Sequence, residues 1–270
     1  MSFLFLCLAL LSSLSIAILL RLYEFKGSNR TVIIASNYIS AGTLGYVLYR
    51  QPSADLTVFY FGAVLGLFFS IAFITFSRAI KNKGIASAVT MGRMSLAIPV
   101  GFSIFLWGEK PLITDILGLI LVFFIILTWE GKIGKLSPIL FSLFLLFGFI
   151  DASIKFFKMK FPTADDNFFL IIVFYSAMVW SWIYVLCSRQ KLIPVDIGRG
   201  FLLGIPNYFS TYFLLKALET LPAYITFPFI NIGMIILSAL LGYLFFKEKL
   251  NRKKIFLIIL GIIAVLFLTT

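Results

Sequence analysis

Apolar runs of about 20 residues follow one another through this chain, parted only by short polar loops, and that pattern leaves few folds open. About 20 helical residues cross the roughly 30 Å hydrocarbon core of a bilayer, where every backbone N–H and C=O must find a partner within the protein. Hydrophobic residues make up 61% of the 270 and charged residues 13%. Soluble domains average about 45–50% and about 25%. The expectation is an all-α integral membrane protein, with no room between the runs for an extramembrane catalytic domain. Residues 1–20 have neither a basic leader before their apolar run nor a small-residue cleavage site after it, and so read as a retained first span.

Composition also removes several function classes. The net charge of +12 comes from 23 basic residues scattered among the loops rather than gathered on one face, a pattern of membrane orientation and not of nucleic-acid binding. Cys7 and Cys187 both lie in apolar runs, which suits small buried hydrophobes better than a disulfide or a metal site. The chain has no histidine, so the commonest metal ligand and the commonest general base near neutral pH are missing. Without a GxxxxGK[ST] loop, ATP hydrolysis on this chain is not expected. Neither a metal nor a cofactor is expected.

Charged and turn-forming segments such as RLYEFKGSNR, KNKG, EGKIGKLSP and KEKLNRKK place ten helices, at 2–20, 31–49, 56–79, 84–107, 112–129, 136–157, 167–187, 199–219, 222–246 and 254–269. Five fall on each side of residues 131–137, giving two candidate five-helix repeats, 1–130 and 136–270.

The two halves end alike. Residues 101–112 read GFSIFLWGEKPL and residues 239–250 read ALLGYLFFKEKL, with Glu109 and Glu248 139 positions apart. Upstream, Arg78-Ala79-Ile80 matches Lys216-Ala217-Leu218 at an offset of 138. Such a repeat implies duplication of one unit. An odd number of spans per copy makes the second copy enter the membrane from the opposite face, so the repeat is inverted. The loops agree: those after helices 1, 3, 5, 7 and 9 hold about 16 Lys and Arg, the others about 6. Paired inverted halves are a common architecture of secondary transporters.

These residues together resemble the drug/metabolite transporter superfamily, specifically its ten-helix EamA-type members. The first half carries Arg78-Ala79-Ile80, Gly84, Ala86, Pro99, Gly108-Glu109 and Gly118; the second carries Lys216-Ala217-Leu218, Pro222-Ala223, Lys247-Glu248 and Gly261. Lys247 stands where that family's pattern has glycine, and Gly261 falls later relative to its glutamate than Gly118 does. The resemblance implies a carrier of small metabolites, amino acids, nucleotide-linked sugars or drugs, embedded in a bacterial inner membrane.

Polar groups inside the spans are the candidates for transport chemistry. Arg93 lies about nine residues, roughly 14 Å, into its helix. A charge at that depth costs at least about 2.5–3.5 kcal/mol and should face a cavity or a partner. Its guanidinium suits a carboxylate or phosphate, with a structural ion pair as the alternative. The 138 offset sets Asn231 opposite Arg93, with Pro228 and Pro99 loosening the two helices nearby. Asn207, Tyr208, Thr211 and Tyr212 form a stripe after a break expected at Pro206, and Asn37, with Ser36 and Ser40, offers more polar groups. Any of these can equally be glue between helices. Asp151 and Lys155, four apart and acid first, should pair, with Asp151 the candidate acceptor of a coupling proton. Glu109 and Glu248 should pair locally and cap helix ends.

The expected function is therefore a secondary carrier moving a small anionic or zwitterionic metabolite, such as an amino acid, by alternating access, with protons as a candidate coupling ion. Two other classes stay open. One is a non-transporting membrane scaffold or partner subunit. The other is an intramembrane enzyme on a lipid-linked substrate, for which Asp165-Asp166 is the one adjacent acidic pair.

Overall fold

The computed structural model describes residues 1–24, 28–49, 55–129, 137–246 and 251–269, and all regular structure there is helical. Eleven helices follow in chain order: α1 (Ser2–Glu24), α2 (Arg30–Leu48), α3 (Leu56–Lys83), α4 (Ile85–Met94), α5 (Ala97–Phe105), α6 (Ile113–Trp129), α7 (Pro138–Lys160), α8 (Asp166–Cys187), α9 (Pro194–Leu218), α10 (Ala223–Phe246) and α11 (Arg252–Thr269). Among the described residues, seven stretches are long and apolar enough to cross a membrane: in α1, α2, α3, α7, α8 and α10, and across the α4–α5 pair at Ser87–Phe105. Helix α6 is a shorter apolar helix.

Three expectations about helix limits need correction. The helix expected over 84–107 is two, because Pro99 has no N–H to offer the Ser95 carbonyl; the Ile98 N–H takes it instead at 3.0 Å, and a tighter turn at Ser95–Leu96 joins α4 to α5. The helix expected to start at 199 starts at Pro194, whose fixed φ suits a first helical position. Pro206, expected to mark a break, sits inside a continuous α9. A single residue, Gly84, separates α3 from α4. Its φ of 85° is the conformation that only glycine adopts without strain, and its N–H still caps Ile80 O at 2.9 Å.

The chain divides into two compact units, Met1–Ile74 with Phe156–Glu219, and Thr75–Lys155 with Thr220–Thr270. In the first, α2 packs on α8 and α9, and α9 also packs on α1. Its seams are made by glycines four apart. A Cβ at Gly200 would stand 2.4 Å from Ile33 O, and one at Gly204 would stand 1.8 Å from Ser40 Oγ and 2.3 Å from Asn37 O. Gly62 and Gly66 of α3 lie as close to α8, where a Cβ at Gly66 would meet Val173 O at 2.3 Å. Without water to drive association, such close backbone approach supplies the dispersion contact that holds membrane helices together. Short hydroxyl bonds stitch the seams: Ser40 Oγ donates to Phe201 O at 2.8 Å and Ser176 Oγ to Ala63 O at 2.6 Å. Phe157 and Phe169 stack with centroids 3.7 Å apart, flanked by Phe61.

In the second unit, α11 packs on α6 and α10, and α10 on α5 and α6. Gly118 of α6 lies against Leu268 of α11, and Gly261 of α11 against Ile236 of α10. The other side of the unit is built on α7: Leu140 and Leu143 pack with Ala79 of α3 and Ala88 and Met91 of α4. Higher on α7, Phe147 covers Gly92 of α4, and Gly148 admits Ile98 of α5. Cys7 and Cys187, expected to be buried, are both exposed. They sit on the outer faces of their helices.

Candidate functional site

The tight turn between α4 and α5 sets the first group of polar atoms. Arg93 occupies the last turn of α4, just before it. Ser95 Oγ donates back to Gly92 O at 2.6 Å, satisfying a carbonyl at the helix end. The half-buried Arg93 guanidinium reaches across to α10, where Nη1 donates to the backbone carbonyl of Asn231 at 3.0 Å. Asn231 in turn donates from Nδ2 to Phe227 O at 3.0 Å, one residue before Pro228. Arg93 and Asn231 are thus brought together, through the main chain of the second rather than its amide. A guanidinium directed at helix backbone can bind an anionic group as well as a carbonyl.

Farther along, α7 carries Asp151 and Lys155. The expected pair between them is not made. Lys155 Nζ instead sits 3.0 Å from Glu109 Oε1 and donates to Leu221 O at 3.2 Å. Glu109 Oε2 accepts the N–H of Ala223, the first residue of α10, at 2.9 Å. Glu109 is therefore a helix cap, as expected, but its cation comes from a distant helix and not from Lys110. Two termini meeting there, with their unsatisfied backbone groups, outbid a contact one turn away on α7. Asp151 is half-buried and has neither an ion pair nor a hydrogen bond among the described residues. Glu248 lies outside the described residues.

The polar stripe of α9 belongs to the α2 seam. Asn207 Nδ2 donates to Asn37 Oδ1 at 2.6 Å, and Asn37 Nδ2 donates to Ile34 O at 2.7 Å. Tyr208 is fully buried, with its hydroxyl donated to Asn167 Oδ1. Thr211 is buried and donates to Asn207 O at 3.3 Å. Tyr212 is half-buried, stacked on Tyr208, and followed one turn later by Lys216 with Nζ 5.8 Å from its ring centroid. Asn207 and Tyr212 keep partial exposure; Asn37, Tyr208 and Thr211 do not.

Two clusters of charge escaped sequence reasoning. Lys158 is buried between Asp166 Oδ1 at 2.8 Å and Glu219 Oε1 at 2.9 Å. Lys216 completes the set at 2.9 Å from Asp166 Oδ2 and 2.8 Å from Glu219. Burial alone would push the Glu219 carboxyl up, but the hydrogen bonds and charges of Lys216 and Lys158 outweigh it and hold the group below its ordinary value. Asp165 accepts the Phe168 N–H at 2.9 Å as the N-cap of α8, so both members of the acidic pair have structural work. Elsewhere in the same unit, fully buried Asp196 accepts the Asn29 N–H and pairs with Arg199, each at 2.8 Å. The available signal was the alternation of Lys158, Asp166, Lys216 and Glu219 at three neighbouring helix ends. Reading it requires knowing which ends meet. No group of acids and cysteines among the described residues has the spacing of a metal site.

A spatial likeness and two sequence likenesses bear on this arrangement. A solved crystal structure superposes with a TM-score of 0.80, covering 99% of this chain and 96% of the other at 16% identity, which speaks to the fold alone. A Haemophilus influenzae protein described as uncharacterized is 27% identical over 274 residues, with 90% of each chain covered. The model of the EamA-like transporter family matches residues 136–270, half of the chain. With apolar spans throughout and polar groups held inside them, the chain is an integral multi-pass membrane protein and belongs to the EamA-like transporter family.

Proposed function

We propose that this chain is a secondary carrier that moves a small anionic or zwitterionic metabolite, such as an amino acid, through ten spans arranged as two inverted repeats, by alternating access. The observation that carries the reading is the half-buried Arg93 guanidinium at the α4–α5 turn, bonded to a main-chain carbonyl beside the proline of α10. A solute carboxylate would offer that guanidinium a charged, two-pronged acceptor. Asn231, on the partner helix, comes from the other proposed repeat, so the proposed site draws on both repeats. Asn207 and Tyr212 are proposed solute contacts because they keep partial exposure. Asn37, Tyr208 and Thr211 hold Asn207 and Tyr212 in place.

The test is uptake of radiolabelled metabolites into vesicles reconstituted with the purified chain, across amino acids, other carboxylates and neutral analogues. Carboxylate-bearing solutes should be taken up, and Arg93→Ala should lower their uptake about tenfold, or about 1.4 kcal/mol. Equal uptake by the variant removes Arg93 from the site. No uptake of any solute by wild type removes the carrier reading.

A further inference from the structure

We propose that Asp151 is the proton-coupling group of this carrier, and that Lys155 relays its charge to the start of α10 by exchanging one carboxylate partner for another. The proposal rests on the carrier reading above and adds the site and route of coupling.

Asp151 is near the middle of α7, a helix otherwise uncharged until Lys155. On its own face the neighbours one turn earlier are Phe147 and Gly148, which pack on Gly92 of α4 and Ile98 of α5. One turn later stands Lys155. The charged groups on the elements packed against α7 in this unit are Arg78, Lys81 and Lys83 near the end of α3, Arg93 on α4, and Glu109 and Lys110 beyond α5. Helix α5 contributes none; the first turn of α10 brings the Tyr224 phenol, which faces Glu109 and Asp115 of α6. An ionised carboxyl in a membrane span needs a compensating cation. Asp151 has two within its chemistry: a proton from water, or the Lys155 ammonium, which lies at the favourable acid-first i,i+4 spacing.

Lys155 is at present committed elsewhere, 3.0 Å from Glu109 and donating to Leu221 O. One ammonium therefore has two carboxylates within reach. With Asp151 protonated, Lys155 stays with Glu109, and the pair pins the Leu221 carbonyl and the Ala223 amide at the entrance of α10. When Asp151 releases its proton to water, its carboxylate draws Lys155 back along α7. Leu221 O loses its donor and Glu109 keeps only the amide. Lys155 remains protonated throughout, and the trio passes from neutral to a charge of minus one. Helix α10 carries Asn231, the acceptor of Arg93. Protonation is thereby linked to the helix that shapes the proposed solute site.

Two readouts test this without any solute, so they stand or fall apart from the carrier reading. The first is an infrared difference spectrum of the purified chain between acid and alkaline pH. Wild type should lose a protonated-carboxyl carbonyl band that Asp151→Asn lacks and Asp151→Glu restores; a band unchanged in Asp151→Asn overturns the site. The second is maleimide labelling of Leu221→Cys in a Cys7→Ser, Cys187→Ser background, compared with and without Asp151→Asn at each pH to cancel the thiol's own titration. The background with Asp151 should label about fivefold faster than the Asn variant at alkaline pH and equally at acid pH. Lys155→Gln should label fast at every pH. A ratio that does not change with pH, or slow labelling of Lys155→Gln, overturns the relay. A carrier that passes both readouts yet transports nothing in the solute panel loses the carrier reading alone.

Discussion

Polar residues inside the spans have opposite fates in the two compact units. Along the α2–α9 seam, Asn37, Asn207 and Thr211 bond to one another or to nearby carbonyls, beside glycines that let the backbones touch, while Tyr208 bonds Asn167 of α8. At the α4–α5 turn and on α7, Arg93 reaches a main-chain carbonyl and Asp151 makes no bond among the described residues. Seam groups match each other because both helices are regular there and present side chains at fixed spacing. In the second unit Arg93 meets helix backbone rather than a matching side chain, and Asp151, on the unbroken helix α7, has lost its i,i+4 lysine to Glu109. The comparison teaches that depth in the membrane does not identify a site; what the facing elements offer a polar group does.

The largest effect should come from the first unit's buried charges. Asp166→Ala leaves two lysines, Lys158, whose side chain is only 4% exposed, and Lys216, to share the single carboxylate of Glu219. Removing one partner of a buried pair costs about 3–5 kcal/mol, so the detergent melting temperature should drop sharply. A small drop would mean that this unit tolerates unpaired charge as well as the second does. The same variant also supersedes loss of function at Asp165-Asp166 as a sign of enzyme chemistry, since the fold itself depends on the pair.

A pair of glycines sharpens the contrast. Gly204→Ala puts a methyl 2.3 Å from Asn37 O, a backbone atom that cannot step aside, and should cost about 1–3 kcal/mol or more. Gly101→Ala on α5 meets nothing within 4 Å and should stabilise by up to about 1 kcal/mol through helix propensity alone. Parallel melts of the two variants decide it; equal shifts would deny the seam its special packing.

Smaller still is the Asn37–Asn207 contact. A double-mutant cycle with alanine at both positions should give a coupling of about 0.6 kcal/mol, typical of hydrogen bonds between membrane helices. A coupling several times larger would move the seam into the class of groups that organise the site.

The smallest effect is on acidification. Glu219 is held below its ordinary value of 4.5 by Lys216 and Lys158, so its contribution to stability is present above that value and disappears as pH falls through the lowered one. Wild type should therefore lose more of its melting temperature below about pH 4.5 than Glu219→Gln does. Parallel acid curves would show the partly exposed pair to be screened.

Much of this was legible in the residues. The span pattern follows from hydrophobic period, the register that pairs Arg93 with Asn231 from an internal repeat, and the family from the resemblance of short motifs in the two halves. Loosening by Pro99 was expected, but not that it would divide the helix at Ser95–Leu96, because a proline disturbs the turn before it and its neighbours decide whether the helix is interrupted or, as at Pro206, continues. The Asp151–Lys155 pair was expected from spacing and is absent because Glu109 and the start of α10 compete for the same lysine. The Gly200 and Gly204 spacing could have announced the seam.

By itself the sequence determined that the chain lies in a membrane as helices, since no other arrangement satisfies so much apolar backbone, and which polar residues sit at depth. Tertiary structure alone decided what those residues touch. Spacing along a helix says which side chains share a face; only packing sets one face against another helix, and so decides whether a buried charge finds a lysine, a carbonyl or nothing.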